Sequence, residues 1–151
     1  MNCIIEKCSV SETKEVDILL NKLILDEKQY DKNISDNVII KDFYETKLND
    51  DNNCLLVAKT DNKIIGYLYG FILNSDIDVD LKSQLDALYV EEKYRKLGIA
   101  NTLIGEFINW SKQKQVKFIE LKVCNENINA INLYKKYDFK DIKTIMSLDI
   151  G

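Results

Sequence analysis

One arginine stands among the 21 cationic side chains of this 151-residue chain, in the stretch VEEKYRKLGIANTLIGEF at residues 90–107. Arg95 falls three residues before Gly98, and Ile99, Leu103, Phe107 and Trp110 then recur at helical spacing, with Ile104 and Ile108 widening the stripe. A helix start exposes unpaired N–H groups and a partial positive charge, which suits a phosphate or pyrophosphate. Gly98 would let the backbone approach such a ligand, and the small Ala100 keeps the next turn open. Arg95 and Lys96 add positive charge, the guanidinium with a two-pronged donor. The same residues also describe an ordinary strand–helix turn with solvated cations, and spacing alone leaves both readings open.

Acid–base chemistry is constrained by what is absent. The chain has no histidine, which removes the commonest general base and the commonest zinc ligand. Asp, Glu, Tyr, Lys, Cys or water must serve instead. Asp86 alternates with Leu88 and Val90 in the apolar run LDALYV, and Glu120 lies between Ile119 and Leu121. Either carboxylate could free an amine of its proton, and either could be a solvated charge at a strand end. The four cysteines, Cys3, Cys8, Cys54 and Cys124, form no C-x-x-C pair and read as free or buried thiols. Cys124 has no histidine to activate it, so a covalent route through it is rejected. The stretch NSDIDVDLKSQLD, residues 74–86, holds four aspartates and one lysine. It reads as a hydrated loop or as an acidic mouth for a cationic substrate.

The elements that must position these residues follow from periodicity. CIIEKCSV reads as a first strand, and the helical spacing of Val16, Leu19, Leu20, Leu23 and Ile24 follows the cap-like Ser11. VIIKDFYETKLN reads as a second helix with Ile39, Phe43 and Leu48 turned inward. CLLVAKT and IIGYLYGFIL form a hairpin across Asp61–Lys63. LDALYV is the fourth strand, followed by the helix that Gly98 opens, a fifth strand VKFIELKV, a short helix INAINLYKKY, and one or two closing strands in FKDIKTIMSLDI. The order is β-α-α-β-β-β-α-β-α-β, an α/β domain with a mixed sheet.

Length fits one domain, and 46% hydrophobic residues supply a core. A net charge of −4 leaves no cationic excess for nucleic acid. No apolar run approaches 18 residues and MNCIIEKCSV lacks a long apolar core, so the expectation is a cytoplasmic protein without a membrane role.

With the elements laid out, LDALYVEEKYRKLGIANTLI resembles the acetyl-CoA signature of the GCN5-related N-acetyltransferase (GNAT) family, in which a strand ending L-x-V leads to [RQ]-x-x-G-x-[GA] and a helix. Here the matching residues are Leu88, Tyr89 and Val90, then Arg95, Gly98 and Ala100. NINAINLYKKYDF matches the second signature, N-x-x-A-x-x-L-Y-x-x-x-G-F, through Asn127, Ala130, Leu133, Tyr134 and Phe139. Asp138 replaces the usual glycine, and aspartate tolerates the left-handed conformation better than most residues.

The resemblance implies a single N-acetyltransferase domain over residues 1–151, with a mixed central sheet of six to seven strands, about four helices, and splayed fourth and fifth strands. It implies acetyl-CoA as donor, no metal, a small-molecule amine such as a polyamine, aminoglycoside or amino acid as acceptor, and it allows a homodimer. A protein or peptide amine as acceptor, and a non-catalytic CoA sensor, remain alternatives. By the same resemblance, Leu88, Tyr89 and Val90 would line the pantetheine arm through their backbone. Residues Arg95, Lys96, Leu97, Gly98, Ile99 and Ala100 would hold the pyrophosphate, with Asn127 nearby. Tyr134 would give a proton to the departing thiolate, because a phenol with pKa about 10 is protonated at neutral pH. Asp86 would serve the amine. Glu27, Tyr30, Phe43 and Tyr44 would border the acceptor.

Overall fold

The computed structural model describes residues 2–151. Five strands form one sheet in the order β1-β2-β3-β4-β5. They are β1 (Ile4–Lys7), β2 (Asn53–Thr60), β3 (Lys63–Leu73), β4 (Lys82–Val90) and β5 (Phe118–Glu120). The first four pair antiparallel, and β4 pairs parallel with β5. Three α-helices accompany them: α1 (Thr13–Glu27), α2 (Ile99–Gln113) and α3 (Ile128–Lys135).

The sheet separates two cores. Leu55 and Val57 of β2 face α1, whose Val16, Leu19 and Leu20 are buried there with Tyr44, Tyr67 and Tyr69. Cys54, Leu56 and Ala58, at the alternate positions, face α2 with Ile99, Leu103, Ile104 and Phe107. Period-two alternation in the strand and the apolar stripe of each helix produce this division. Buried polar groups are paired on each side of it: Asp17 Oδ1 accepts from the Tyr44 amide at 3.2 Å, and the hydroxyls of Ser83 and Ser111 join β4 to α2 at 2.9 Å.

The β2–β3 hairpin turns on Asp61 and Asn62, both with positive φ (50° and 62°). That is the type I′ geometry whose twist matches paired strands.

Several expectations require correction. Among the described residues the sheet has five strands rather than six or seven, and three α-helices rather than about four flank it. The expected second helix is reduced to a 3-10 turn at Tyr44–Lys47. Without a helix its phase is lost: Ile39 is exposed, and Ile40 packs inward, bracketed by Asn21, which both donates to and accepts from its backbone. Ser11 does not cap α1; Ser9 instead caps the 3-10 turn Val10–Glu12 that leads into it, its amide and hydroxyl both donating to Glu12 at 2.9 Å. The fifth strand keeps only three residues, because β4 leaves it after Gln84 and nothing pairs with its outer side. The closing strands in residues 140–150 do not form. The four cysteines are free thiols.

Gly70 and Gly105 give the fold a paired test. A Cβ at Gly70 would meet the Phe107 ring at 2.3 Å and the Gln84 carbonyl oxygen at 2.7 Å, whereas a Cβ at Gly105, within α2, meets nothing within 4 Å. Gly70→Ala should therefore destabilise the fold by about 1–3 kcal/mol through overpacking. Gly105→Ala should stabilise it by about 0.5–1 kcal/mol through helix propensity. Thermal melts read both, at roughly 2–4 °C per kcal/mol for a chain of this size.

Candidate active site

The site begins where β4 and β5 part. Their ladder consists of Lys82 with Phe118, Ser83 with Ile119 and Gln84 with Glu120, and then ends. From residue 85 to 90, β4 is paired on its β3 side and has no strand on the other. The backbone groups there that face away from β3 are open to a ligand, except the Val90 carbonyl, which accepts from Arg95.

A bulge shapes this edge. Tyr69 stands opposite Ala87 and Gly70 opposite Leu85, so Asp86 is the extra residue of β4. Before the bulge, Leu85 faces α2; after it, Ala87 and Tyr89 face α1 while Leu88 and Val90 face α2. Asp86 thus does not share the face of Leu88 and Val90, as simple alternation predicts. It lies on the α1 side, where its charge adds to the rise that burial causes in the phenols of Tyr67 and Tyr69. Gln84 Nε2 donates to its Oδ1 at 3.2 Å.

Beyond Val90 the chain makes a 3-10 turn (Glu92–Tyr94) and enters the expected loop. Lys96 and Gly98 are both left-handed, with φ of 63° and 84°. No side chain caps the start of α2, and the space around the Gly98 Cα is open. The first-turn amides therefore remain available, as an anion requires. Lys96 and Leu97 are exposed, Ala100 is half-buried, and the Ile99 side chain belongs to the core, so any role of Ile99 here falls to its amide.

Arg95 is committed elsewhere. Its Nε donates to the Val90 carbonyl at 2.8 Å, its Nη2 pairs with Asp26 Oδ2 at 2.9 Å, and its guanidinium lies 5.3 Å from the Tyr89 ring centre. With Lys22 paired to Glu91 at 2.6 Å, it fastens the C-terminal half of α1 to the end of β4.

Tyr134 approaches from α3. Asn127 caps this helix, its Oδ1 accepting from the Ala130 amide at 3.3 Å. Asp138 takes the left-handed conformation (φ 66°). Phe139 then turns back so that its amide donates to the Tyr134 carbonyl at 3.3 Å and its ring meets the Tyr134 ring edge-on at 5.7 Å. Tyr137 Oη donates to Asn101 Oδ1 at 2.9 Å, which ties α3 to the first turn of α2. The Tyr134 hydroxyl has no hydrogen-bond partner among the described residues. Burial, then the charge of Glu27, pushes its pKa up to about 12.

Glu27, the last residue of α1, is the group whose importance the sequence understated. Solvent reaches it, yet enclosure by protein, followed by the charges of Asp86, Asp31 and Asp26, raises its carboxyl above the ordinary range. Burial, then Asp31, Glu27 and Glu126, raises the Cys124 thiol, which keeps it protonated. One space thus receives Asp86 from β4, Glu27 from α1, Tyr134 from α3 and Cys124 from the segment between β5 and α3.

Other expected groups fall outside it. Glu120 is engaged by Lys82 at 3.5 Å, and Lys82 also holds Asp78 at 3.0 Å. Lys117 holds Asp80 at 3.3 Å, so much of the acidic run at residues 74–86 is neutralised locally. Tyr44 is fully buried, its hydroxyl bonded to that of Tyr67 at 3.0 Å, and does not border an open acceptor space. A depression of about 220 Å³ between β1 and α2 holds none of these residues. Among the described residues, no group of three His, Cys, Asp or Glu side chains could hold a metal ion, and no helix is long and apolar enough to cross a membrane.

Comparison with known proteins places this geometry. An N-alpha-acetyltransferase of Sulfurisphaera tokodaii is 29% identical over 112 residues, covering 68% of this chain and 66% of that protein. The chain thus spans just under two thirds of that relative. Among solved structures, a mutant BH1408 protein from Bacillus halodurans superposes with a TM-score of 0.88 at 20% identity, covering 98% and 99% of the two chains. An aminoglycoside acetyltransferase from an uncultured soil sample superposes with a TM-score of 0.73 at 17% identity, over 99% and 95%. Residues 19–139 match the model of the Acetyltransferase (GNAT) family, and the chain belongs to that family.

Proposed function

We propose that this protein is an acetyl-CoA-dependent N-acetyltransferase whose acceptor is a small amine carrying more than one positive charge. The observation that carries the reading is the free β4 edge, flanked on one side by the uncapped start of α2 and on the other by Glu27 and Asp86. Acetyl-CoA fits these features. Its pyrophosphate suits the open amides of residues 96–101 and the left-handed Gly98, and its pantetheine arm suits the unpaired backbone of residues 85–90. When bound it would supply an acetyl group activated as a thioester.

The chain's own groups then divide the remaining work. Glu27, with Asp86 beside it, takes the proton from the incoming ammonium, and burial together with the neighbouring carboxylates raises its affinity for that proton. The backbone N–H groups of Leu88 and Val90, which alternation turns away from β3, suit the carbonyl oxygen as charge develops on it. Tyr134 donates its phenolic proton to the departing thiolate, since a pKa of about 12 keeps it protonated. Arg95 acts as a brace, holding the loop to β4 and α1.

The charge around the acceptor side favours a polycation. Glu27, Asp31, Asp86 and Glu126 converge there, while the neighbouring cations are paired already: Lys22 with Glu91, Lys28 with Asp36, and Arg95 with Asp26. A peptide N-terminal amine is the second reading, favoured by the archaeal relative.

The deciding experiment is thiol release from acetyl-CoA across polyamines, aminoglycosides and short peptides. Turnover confined to polycationic amines supports the first reading, and turnover confined to peptides the second. Binding of acetyl-CoA without turnover of any amine would overturn both.

Two expected outcomes follow from the residue assignments. Tyr134→Phe should lower kcat by about 10²-fold or more with the KM for acetyl-CoA nearly unchanged, whereas Arg95→Ala, by releasing the loop from Val90 and Asp26, should raise that KM by about tenfold.

Glu27 adds a stability test. Folding raises its carboxyl pKa, so the folded chain holds the proton to higher pH than the unfolded chain. Its contribution to stability is present below the ordinary glutamate pKa and is lost as pH rises through the folded value. Glu27→Gln should therefore raise Tm at neutral pH, lose that gain at acid pH, and lower kcat throughout; melts at the two pH values and steady-state kinetics check it.

A further inference from the structure

α3 carries Tyr134, and little holds it in place. At eight residues the helix is too short to be stable alone, and none of the eight is fully buried. Leu133, Tyr134 and Tyr137 lie partly buried against the α2-side core. The hydrogen bonds within residues 124–139 are otherwise local, each running to a near neighbour in the chain. Among the described residues, one side chain alone carries hydrogen bonds from this segment to the body of the protein. It is Tyr137, whose Oη lies 2.9 Å from Asn101 Oδ1 and 3.1 Å from the Asn101 carbonyl oxygen.

Both ends of that bridge stand at consequential places. Asn101 belongs to the first turn of α2, where the Thr102 amide and hydroxyl both donate to the Gly98 carbonyl at 3.1 Å and fix the turn that Gly98 opens. Tyr137 follows Tyr134 by three residues, and its amide donates to the Tyr134 carbonyl at 3.0 Å. The phenol has one proton, which the two oxygens of Asn101 share. The ring alone would pack equally well, so what the hydroxyl adds is the tether. Tyr134 has no such hold of its own. Its hydroxyl lacks a hydrogen-bond partner among the described residues, and its place follows from the Phe139 ring and from where α3 sits.

We infer that Tyr137 is a positioning residue for Tyr134. Through Asn101 it sets the distance between α3 and the turn of α2 whose amides suit the pyrophosphate. It thereby keeps the Tyr134 hydroxyl where the sulfur of the donor would lie. The inference rests on the reading of Tyr134 as the acid. A donor held by its pyrophosphate brings its sulfur to one place, and proton transfer requires the acid within hydrogen-bond reach of that place. A small displacement of α3 therefore lowers the rate while leaving affinity nearly intact.

The test starts without ligand. In a chain labelled with carbon-13 at the tyrosine Cζ, the Tyr134 resonance is the one lost in Tyr134→Phe. Tyr137→Phe should shift or broaden it, while the Tyr44 and Tyr67 resonances, from the opposite core, stay in place. Asn101→Ala, which removes one of the two acceptors, should move the Tyr134 resonance in the same direction. In steady-state kinetics, Tyr137→Phe should lower kcat by about fivefold and leave the KM for acetyl-CoA within about twofold, as loss of one neutral hydrogen bond predicts. In the Tyr134→Phe background the same change should lower kcat no further, because it acts through that phenol. An unmoved Tyr134 resonance, an effect confined to KM, or an equal loss of kcat in the Tyr134→Phe background would each overturn the inference and leave Tyr134 as the acid. Full kcat in Tyr134→Phe alone would instead overturn the acid reading, and the inference with it.

Discussion

Three residue pairs hold β4 to β5, and after Gln84 and Glu120 the two strands part. Everything distinctive about this molecule depends on that parting. A sheet ordinarily closes its backbone groups on a neighbour, and groups left unpaired in a protein interior are costly unless water or a ligand meets them. Here the gap lies inside the sheet, so it must be held open by packing on both sides. The bulge at Asp86 changes which side chains face each core. On the α1 side, Arg95 and Lys22 fasten α1 to the end of β4. On the α2 side, Tyr137 joins α3 to the first turn of α2.

The electrostatics of the cleft follow from the same arrangement. Bringing Glu27 from a helix end and Asp86 from a bulge into one space sets two carboxylates against each other, with Asp31 and Asp26 adding to the repulsion at Glu27. The fold tolerates this because both groups remain open to solvent. Burial first, and this repulsion after it, raise the proton affinity of the Glu27 carboxyl. Burial is likewise the main reason that Tyr134 holds its proton, with the charge of Glu27 adding to it.

Much of this was legible in the sequence, and the reasons are local. The strand–glycine–helix unit around Gly98, the hairpin across Asp61 and Asn62, and the amphipathic stripe of α2 each depend on residues within one or two turns of one another. The tolerance of aspartate for positive φ at position 138 is likewise a property of one residue. Where the reading failed, the missing information was long-range. The second helix did not form although its apolar spacing suited one, because Ile40 and Tyr44 gained more from Asn21 and Asp17 on α1 than from a helical phase. The fifth strand was cut to three residues by the absence of partners, which no property of VKFIELKV reveals.

The sequence by itself determined the family, the order of the main elements and the loop that opens α2, since these rest on motifs and periodicities carried by contiguous residues. Only the tertiary structure decided what Arg95 touches, which face Asp86 occupies and why Glu27 matters. Arg95 and Asp26 stand 69 residues apart, and their meeting is decided by how α1 crosses the end of β4. The side taken by Asp86 depends on one extra residue in a strand register, and a register exists only once β3 lies alongside. Charge, conformation and propensity belong to residues, but proximity across the sheet belongs to the fold.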